Sequence, residues 1–163
     1  MPLTKNTPKC MVELLGKPLI NYQIETLRNN GINDITVVAG YLHKKINIEN
    51  IKKINNPKYN TTNMVYSLFC AEEIIENDDI LIIYGDIVYN DNIIKKVKKC
   101  DSSISIIVDT NWKEYWSARM SDPLFDAETL KFNEKGDVAE LGKKPISYDD
   151  INGQYIGMIK LKR

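Results

Sequence analysis

The sequence has 163 residues, 43% of them hydrophobic and 27% charged, and its 22 basic and 22 acidic residues give a formal net charge of zero. This length suits one domain with a substantial core. The balanced charge argues against a nucleic-acid binder, which usually carries a basic excess. No apolar run in the sequence approaches the roughly 20 residues of a membrane-spanning helix, so neither nucleic acid nor membrane is an expected partner.

Cysteine and histidine usage excludes several kinds of site. Cys10, Cys70 and Cys100 are widely separated, and His43 is the only histidine. No Cys-x-x-Cys pair or mixed Cys/His ligand spacing is present, which disfavours a structural zinc site, a disulfide scaffold and a hydrolase with a histidine base. We therefore expect a protein of the reducing cytoplasm.

The chain opens in a predicted loop over residues 2–9. An apolar stripe predicts the first helix over residues 18–30, with Pro18 in its first turn and Gly31 just past its end. The β-branched run over residues 34–39 then predicts a strand. The order so far is loop, helix and strand.

Helical and strand patterns alternate through the middle of the chain. Residues 63–75 place apolar side chains at helical spacing, and residues 79–84 form a second β-branched run. A helix is predicted over residues 91–99 with Asp91 as its cap, and a third strand over residues 102–108. This alternation predicts an α/β domain with right-handed crossovers.

The last third of the sequence predicts an antiparallel hairpin instead of alternating helices and strands. Residues 130–132 and 138–141 flank a turn over 133–137 and predict an antiparallel hairpin, and a final strand is predicted over residues 155–161. The predicted fold class is therefore α/β, with a Rossmann-like, mixed, mostly parallel sheet flanked by helices and a small antiparallel appendage.

The opening motifs resemble a known family. PLT at 2–4, PK at 8–9, GKPLI at 16–20 and YGD at 84–86 occur in the order typical of nucleotidyltransferases that make nucleoside-diphosphate sugars and related activated head groups. Members carry a glycine-rich LAAGxGxRL loop before PLT, which here would precede Met1. The resemblance implies a single nucleotidyltransferase core over residues 1–163 that lacks its N-terminal strand with this loop and its C-terminal segment, where a second metal aspartate would lie beyond Arg163.

Three further segments narrow the resemblance to one branch. NMVYSL at 63–68, DPLFDAE at 122–128 and GQYIG at 153–157 resemble phosphocholine and phosphonate cytidylyltransferases, and a phosphoglutamine cytidylyltransferase fits equally well. The resemblance implies transfer of CMP from CTP to a small phosphorylated or phosphonate acceptor. Pyrophosphate leaves, Mg²⁺ is the cofactor, and the product serves surface-polysaccharide or lipid head-group decoration.

Two residues are the strongest candidates for catalysis. Asp86 follows the predicted strand over residues 79–84, and ligands of open α/β sheets bind at the carboxyl ends of strands. The resemblance implies that Asp86 is the metal ligand and that Lys9 neutralises the nucleotide phosphates. We expect the two side chains to converge on one triphosphate. The alternative readings are a turn-capping aspartate and an exposed loop lysine.

The other predicted nucleotide-binding residues follow strands or open a helix. The amide and hydroxyl groups at residues 63 and 67 suit a base or a ribose, although residue 63 also suits a helix cap. A glycine after a strand suits close approach of a ligand or a plain turn. The predicted set, besides Lys9, is Gly40, Tyr41, Asn63, Ser67 and Gly85.

An aromatic group is the first part of the predicted acceptor site. Trp112, Tyr115 and Trp116 can attract a quaternary ammonium, with Asp126 and Glu128 nearby in sequence. The alternative is a packing cluster at one end of the sheet.

Two basic residues complete the predicted acceptor site. Arg119 can hold a phosphate or carboxylate bidentately, or pair with Asp122. Lys144 lies in a segment similar to the family's Glu-Lys-Pro element, which contacts the acceptor phosphate, although Lys143 replaces the glutamate. A solvated hairpin end is the alternative for Lys144.

Two other functions stay open. One is a sugar-1-phosphate nucleotidyltransferase that uses UTP or dTTP, and the other is a non-catalytic nucleotide-binding remnant. The sequence identifies neither the acceptor nor the oligomeric state.

Overall fold

The computed structural model describes residues 2–163, so Met1, where the predicted domain begins, lies outside the described residues. The chain divides into two compact units. Unit 1 comprises Met1–Ser105 and Lys160–Arg163, and unit 2 comprises Ile106–Ile159. Unit 1 contains 16 basic and 12 acidic residues, whereas unit 2 contains 6 and 10.

Unit 1 begins with short turns and a two-stranded ribbon. Strand β1 (Glu13–Leu14) pairs antiparallel with β2 (Lys17–Pro18). The turn between them needs positive φ angles at Leu15 and Gly16, a conformation that glycine adopts without steric cost.

Helix α1 (Leu19–Asn29) follows the ribbon and buries Ile20, Ile24 and Leu27 on one face. Pro18 precedes the helix with an extended ψ of 140°. The prediction that Pro18 lies in the first helical turn is therefore wrong by one residue.

A parallel strand pair follows α1. Strand β3 (Thr36–Ala39), predicted over residues 34–39, pairs with β4 (Lys52–Asn55) in a parallel register that matches Thr36 with Lys52 and Ala39 with Asn55. β4 has no apolar pattern that predicts a strand, because three of the four residues in its sequence, KKIN, are polar. A 3₁₀ turn at His43–Lys45 lies between the strands.

The helix predicted over residues 63–75 is two helices. α2 (Met64–Phe69) and α3 (Glu72–Ile75) are separated at Ala71, whose ψ of 25° departs from helical values while its side chain is buried. The apolar periodicity continues across the break, so it did not reveal the interruption.

Strand β5 (Ile80–Ile83) and helix α4 (Asp91–Lys99) complete the main elements of unit 1 and confirm the predicted elements there. α4 buries Ile94 and Val97 and packs against α1. Its cap is Asn90, whose side chain accepts a hydrogen bond from the backbone N–H of Asn92, rather than Asp91 as predicted.

Unit 2 begins within β6 (Ile104–Asp109) and ends within β9 (Gln154–Leu161), which are neighbouring strands. Helix α5 (Trp112–Arg119) follows β6. β7 (Leu130–Phe132) and β8 (Val138–Leu141) form the predicted antiparallel hairpin. The α/β class with an antiparallel appendage is therefore confirmed. Within residues 2–163, no helix has the length and apolarity needed to cross a bilayer.

Candidate functional site

Lys9 and Asp86 meet although 77 residues separate them in sequence. The Nζ atom of Lys9 lies 3.3 Å from Oδ2 of Asp86, with side chains 64% and 40% exposed. Lys9 begins a 3₁₀ turn, and Asp86 lies in the loop directly after β5. Because both side chains are exposed, both groups are accessible to a ligand at the carboxyl end of β5. An ion pair this exposed also contributes little to stability.

A buried side-chain amide holds the loop that carries Asp86. Gln23 on α1 is 7% exposed, and its Nε2 donates to the carbonyl oxygens of Tyr84 at 2.9 Å and Ile87 at 2.7 Å. These bonds fix the backbone on both sides of Asp86. Gln23 is not predicted from the sequence, because a lone amide in an amphipathic helix gives no signal before its partners are known.

Gly85 lies against the turn that begins at Lys9. A Cβ atom added at Gly85 would lie 3.2 Å from Cβ of Cys10, so a larger residue would push the two segments apart. Burial raises the pKa of the Cys10 thiol, and the nearby Asp86 carboxylate adds to the rise. Cys10 therefore stays a protonated thiol at neutral pH and is a poor nucleophile.

Gly40 and Tyr41, predicted to bind nucleotide, have structural partners. A Cβ atom at Gly40 would lie 2.2 Å from Cβ of Tyr59, so the packing of Tyr59 by itself requires a glycine here. The hydroxyl of Tyr41 donates to the carbonyl oxygen of Lys5. Tyr41 thereby ties the loop after β3 to the opening segment that leads to Lys9.

Asn63 and Ser67 also have local partners. The side-chain oxygen of Asn63 accepts from the backbone N–H of Tyr66 at 3.1 Å, so Asn63 is the cap of α2. Ser67 Oγ accepts from Nδ2 of the buried Asn56 at 3.0 Å. Their local geometry is explained by capping and packing, and their binding role stays a prediction.

In unit 2, the aromatic group predicted for the acceptor lies on α5. Trp112 is buried with Ala127 and Ile151, and Trp116 packs against this cluster with its indole Nε1 buried and unpaired among the described residues. Tyr115 is 56% exposed. Trp112 is thus a core residue, as the packing alternative holds, while Tyr115 is accessible.

One cation of the chain, Arg119, lies over two rings of this group. The Arg119 guanidinium carbon lies 5.2 Å from the Tyr115 ring centre and 5.6 Å from the Trp116 ring centre. Arg119 makes no ion pair among the described residues, so the pairing with Asp122 considered above does not form. The guanidinium group is stacked on the two rings, and its five N–H donors have no charged partner within residues 2–163.

The other residues predicted to contact the acceptor, Asp126, Glu128 and Lys144, differ in their hydrogen-bond and ion-pair partners. Nζ of Lys144 donates to the carbonyl oxygens of Leu124, at 2.6 Å, and Phe125, so it anchors that turn. The backbone of Glu128 is held by the buried Gln154. The carboxylates of Asp126 and Glu128 make no ion pair within residues 2–163.

A divalent cation fits the donors at the end of β5. The described residues contain no group of three His, Cys, Asp or Glu side chains that could enclose a metal ion. Mg²⁺ typically takes one or two carboxylates and completes its shell with substrate phosphates and water. The single accessible carboxylate of Asp86 beside Lys9 matches that mode of binding and not a protein-only cage.

Comparisons with known proteins show which proteins this chain resembles. CTP:phosphoglutamine cytidylyltransferase from Campylobacter jejuni is 45% identical over 172 aligned residues, covering 98% of this chain and 67% of that protein. A choline-phosphate cytidylyltransferase from Streptococcus pneumoniae is 39% identical over 84 residues, covering 49% of this chain and 37% of that protein. The predicted likeness to the phosphocholine and phosphoglutamine branch is thus confirmed.

A solved structure shares the fold. The CTP:phosphocholine cytidylyltransferase LicC from Streptococcus pneumoniae superimposes with a TM-score of 0.67 at 23% identity, over 99% of this chain and 64% of that one. This chain thus spans about two thirds or less of the length of these relatives. The profile of the Nucleotidyl transferase family matches residues 1–145, and the chain belongs to that family.

Proposed function

We propose that this chain is the core of a cytidylyltransferase that moves CMP from CTP to a small phosphorylated or phosphonate acceptor. The observation that carries the proposal is the accessible pair formed by Lys9 and Asp86 at the end of β5. Sequence similarity to cytidylyltransferases supports CTP as the nucleotide.

In the proposed reaction, an oxygen of the acceptor phosphate attacks the α-phosphorus of CTP. A new P–O bond forms to the acceptor, the bond from the α-phosphorus to its bridging oxygen breaks, and pyrophosphate leaves with the bonding electrons. No side chain needs to form a covalent intermediate, so the protein contributes positioning and charge neutralisation. Lys9 would release Asp86 and place its ammonium against the phosphates, where negative charge grows on the leaving group.

Within this chain Asp86 would be the carboxylate that holds Mg²⁺, with the nucleotide phosphates as further charged ligands. When bound, the ion offsets phosphate charge that the Lys9 ammonium cannot offset alone. Gln23 would keep the Asp86 loop in position through its bonds to the flanking carbonyl groups. The Nucleotidyl transferase match supports a divalent-metal reaction.

The acceptor end of the reaction is assigned to unit 2 by resemblance. Tyr115, Trp116 and Arg119 form a cationic, aromatic-backed surface on α5. An acceptor that carries a carboxylate matches this surface better than choline, because the Arg119 guanidinium attracts a carboxylate and repels an ammonium group at these rings. The Campylobacter jejuni relative is named for phosphoglutamine, an acceptor of this kind.

Further residues belong to the proposed sites on the same grounds. Trp112 would shape the acceptor surface from the core, and Asp126, Glu128 and Lys144 would contact the acceptor. The nucleotide side would include Gly40, Tyr41, Asn63, Ser67 and Gly85. The product would serve polysaccharide or lipid head-group decoration from the cytoplasm.

The experiment is a pyrophosphate-release assay with Mg²⁺ and a matrix of nucleotides and acceptors. CTP, UTP and dTTP are each combined with phosphoglutamine, phosphocholine and glucose 1-phosphate. We expect release with CTP and phosphoglutamine, and loss of release in the Asp86→Asn variant. Release only with UTP or dTTP and glucose 1-phosphate would overturn the assignment, and specific nucleotide binding without release for any pair would favour a non-catalytic remnant.

A further inference from the structure

A basic cavity of about 280 Å³ lies in unit 1 at the carboxyl ends of β3 and β4. Its polar lining is formed by side chains from the turn between the strands and from β4. Its apolar lining includes the buried Ile46. The lining includes His43, Lys44, Ile46, Lys53, Ile54 and Asn55. This end of a parallel strand pair is where α/β folds typically bind ligands.

The charge of the cavity is uncompensated. No carboxylate lines it among the described residues. Successive side chains of a strand point to opposite faces, and on β4 the two neighbouring lysines have different partners. Lys52 pairs with Asp34 at 3.4 Å, whereas the one partner of the Lys53 ammonium within residues 2–163 is the carbonyl oxygen of Ile46 at 3.2 Å.

The same turn also holds the segment that leads to the catalytic lysine. His43 and Lys44 line the cavity, while the next residue, Lys45, donates from Nζ to the carbonyl oxygen of Asn6 at 2.7 Å. An occupant of the cavity would therefore contact a turn that braces the backbone three residues before Lys9. This gives the cavity a physical connection to the proposed triphosphate site.

We propose that this cavity binds a small phosphate-bearing anion at a site of its own, distinct from Lys9 and Asp86. Two lysine ammonium groups, one imidazole and the Asn55 amide provide donors from β4 and the turn before it, which suits a compact anion with several oxygens. The volume lies just below the usual range for ligand pockets, so inorganic phosphate or a small phosphorylated metabolite fits. The proposal does not rest on the proposed transferase activity.

The test uses the single histidine as a reporter. His43 is the only histidine of the chain, so its imidazole proton resonances in an NMR spectrum report on this cavity without assignment ambiguity. Inorganic phosphate is titrated into the full chain without metal or nucleotide, at constant pH and with chloride balancing the ionic strength. We expect a saturable shift of the His43 resonances.

Variants locate the binding site. Lys53→Met keeps the aliphatic stem and removes the charge, and it should weaken phosphate affinity at least fivefold. Lys44→Met, at an exposed position, should also weaken phosphate affinity at least fivefold. It provides the test if Lys53→Met folds poorly. Lys96→Met, an exposed position on α4, should leave the affinity unchanged. Lys9→Met should also leave the His43 titration unchanged.

Three results would overturn the proposal. The first is a His43 shift that stays linear up to high phosphate concentration, which shows no saturable site. The second is equal affinity in the wild-type protein and both cavity-lysine variants. The third is loss of the titration in Lys9→Met, which would place the anion at the triphosphate site. Because CTP and Mg²⁺ are absent, none of these results depends on whether the chain transfers CMP.

Discussion

Gln23 on α1 donates a hydrogen bond from Nε2 to the carbonyl oxygen of Tyr84 at 2.9 Å. The same nitrogen donates to Ile87 at 2.7 Å, so one buried amide spans the loop that carries Asp86. Buried polar groups are nearly always paired in folded proteins, and here the pairing joins a helix to a catalytic loop. Gln23 is therefore a positioning residue for the proposed metal ligand.

Replacing Gln23 by methionine should lower both stability and turnover. The change leaves two loop carbonyl groups without their buried donor, and an orphaned buried group costs about 1–3 kcal/mol. We expect a loss of about 2 kcal/mol in the free energy of unfolding, measured by urea denaturation. We also expect kcat to fall about tenfold while the KM for the acceptor stays unchanged.

Leu27→Ala is the matched control for this variant. Leu27 is buried on the same helix, and its truncation costs a similar or greater free energy of unfolding. It does not contact the loop carbonyl groups through hydrogen bonds. If Leu27→Ala lowers kcat as much as Gln23→Met does, turnover follows overall stability and the positioning role is wrong.

Neutralising Lys9 or Asp86 should abolish turnover at little cost in stability. Removing one electrostatic contact to a transition state typically costs 10²–10³ in kcat, so Lys9→Met and Asp86→Asn should each lose about 100-fold or more. The free energy of unfolding should change by less than about 1 kcal/mol, because exposed ion pairs contribute little.

The chain offers a matched control ion pair. Lys52 and Asp34 also form an exposed pair, at 3.4 Å, away from β5. Lys52→Met and Asp34→Asn make the same charge changes and should leave kcat and KM near wild-type values. Equal losses in both pairs would mean that the assay responds to net charge, and the assignment of Lys9 and Asp86 would fail.

The parts of this structure that the sequence predicted are those with a local signal. The bounds of α4 and the hairpin of β7 and β8 follow from apolar spacing and turn composition over ten or so residues. The meeting of Lys9 and Asp86 was also predicted, because a known motif order and the strand-end rule constrain it without any need for tertiary detail.

The parts that were missed depend on partners distant in sequence. β4 has no apolar run, and it pairs as a strand because its backbone completes a parallel ladder with β3. The break between α2 and α3 occurs where the buried Ala71 leaves helical geometry. The position of Arg119 is an exception, because it lies over Tyr115 and Trp116 of its own helix, four and three residues away, and the sequence equally allowed a pairing with Asp122.

Removing the Arg119 charge should change acceptor preference. The guanidinium is stacked on Tyr115 and Trp116 and has no acidic partner among the described residues. Arg119→Met should raise the KM for an acceptor with a carboxylate at least tenfold, because a bidentate charge-assisted contact is lost. The KM for CTP should not change, as measured by initial rates at saturating concentrations of the other substrate.

Lys113→Met is the control for removing a cation that lies above an aromatic ring. Lys113 lies 4.2 Å from the ring centre of Tyr148 on the same unit, so the variant removes a cation above an aromatic ring without touching Arg119. It should leave both KM values unchanged. A gain of activity on phosphocholine in Arg119→Met would agree with the assignment, whereas an unchanged KM for the carboxylate acceptor would contradict it.

Asp150 should make the stability of unit 2 depend on pH in the acid range. A hydrogen bond from Lys131, whose Nζ lies 2.7 Å away, lowers the pKa of Asp150 from 3.8 to about 2, aided by the backbone N–H groups of Ile146 and Ser147. A depressed pKa means that the charged carboxylate stabilises the folded state above about pH 4. That stabilisation is lost as the pH falls from about 4 to about 2.

The Asp150→Asn variant should therefore unfold at lower urea concentration than the wild-type protein at pH 6, and the difference should shrink as the pH falls from 4 towards 2. Asp149→Asn removes the same charge from the neighbouring position, where the side chain makes no ion pair within the described residues, so its stability should follow the wild-type curve. The comparison needs urea midpoints for the three proteins at several pH values. A gap between Asp150→Asn and wild type that stays constant from pH 6 to pH 2 would show that the Asp150 carboxylate charge does not stabilise the fold.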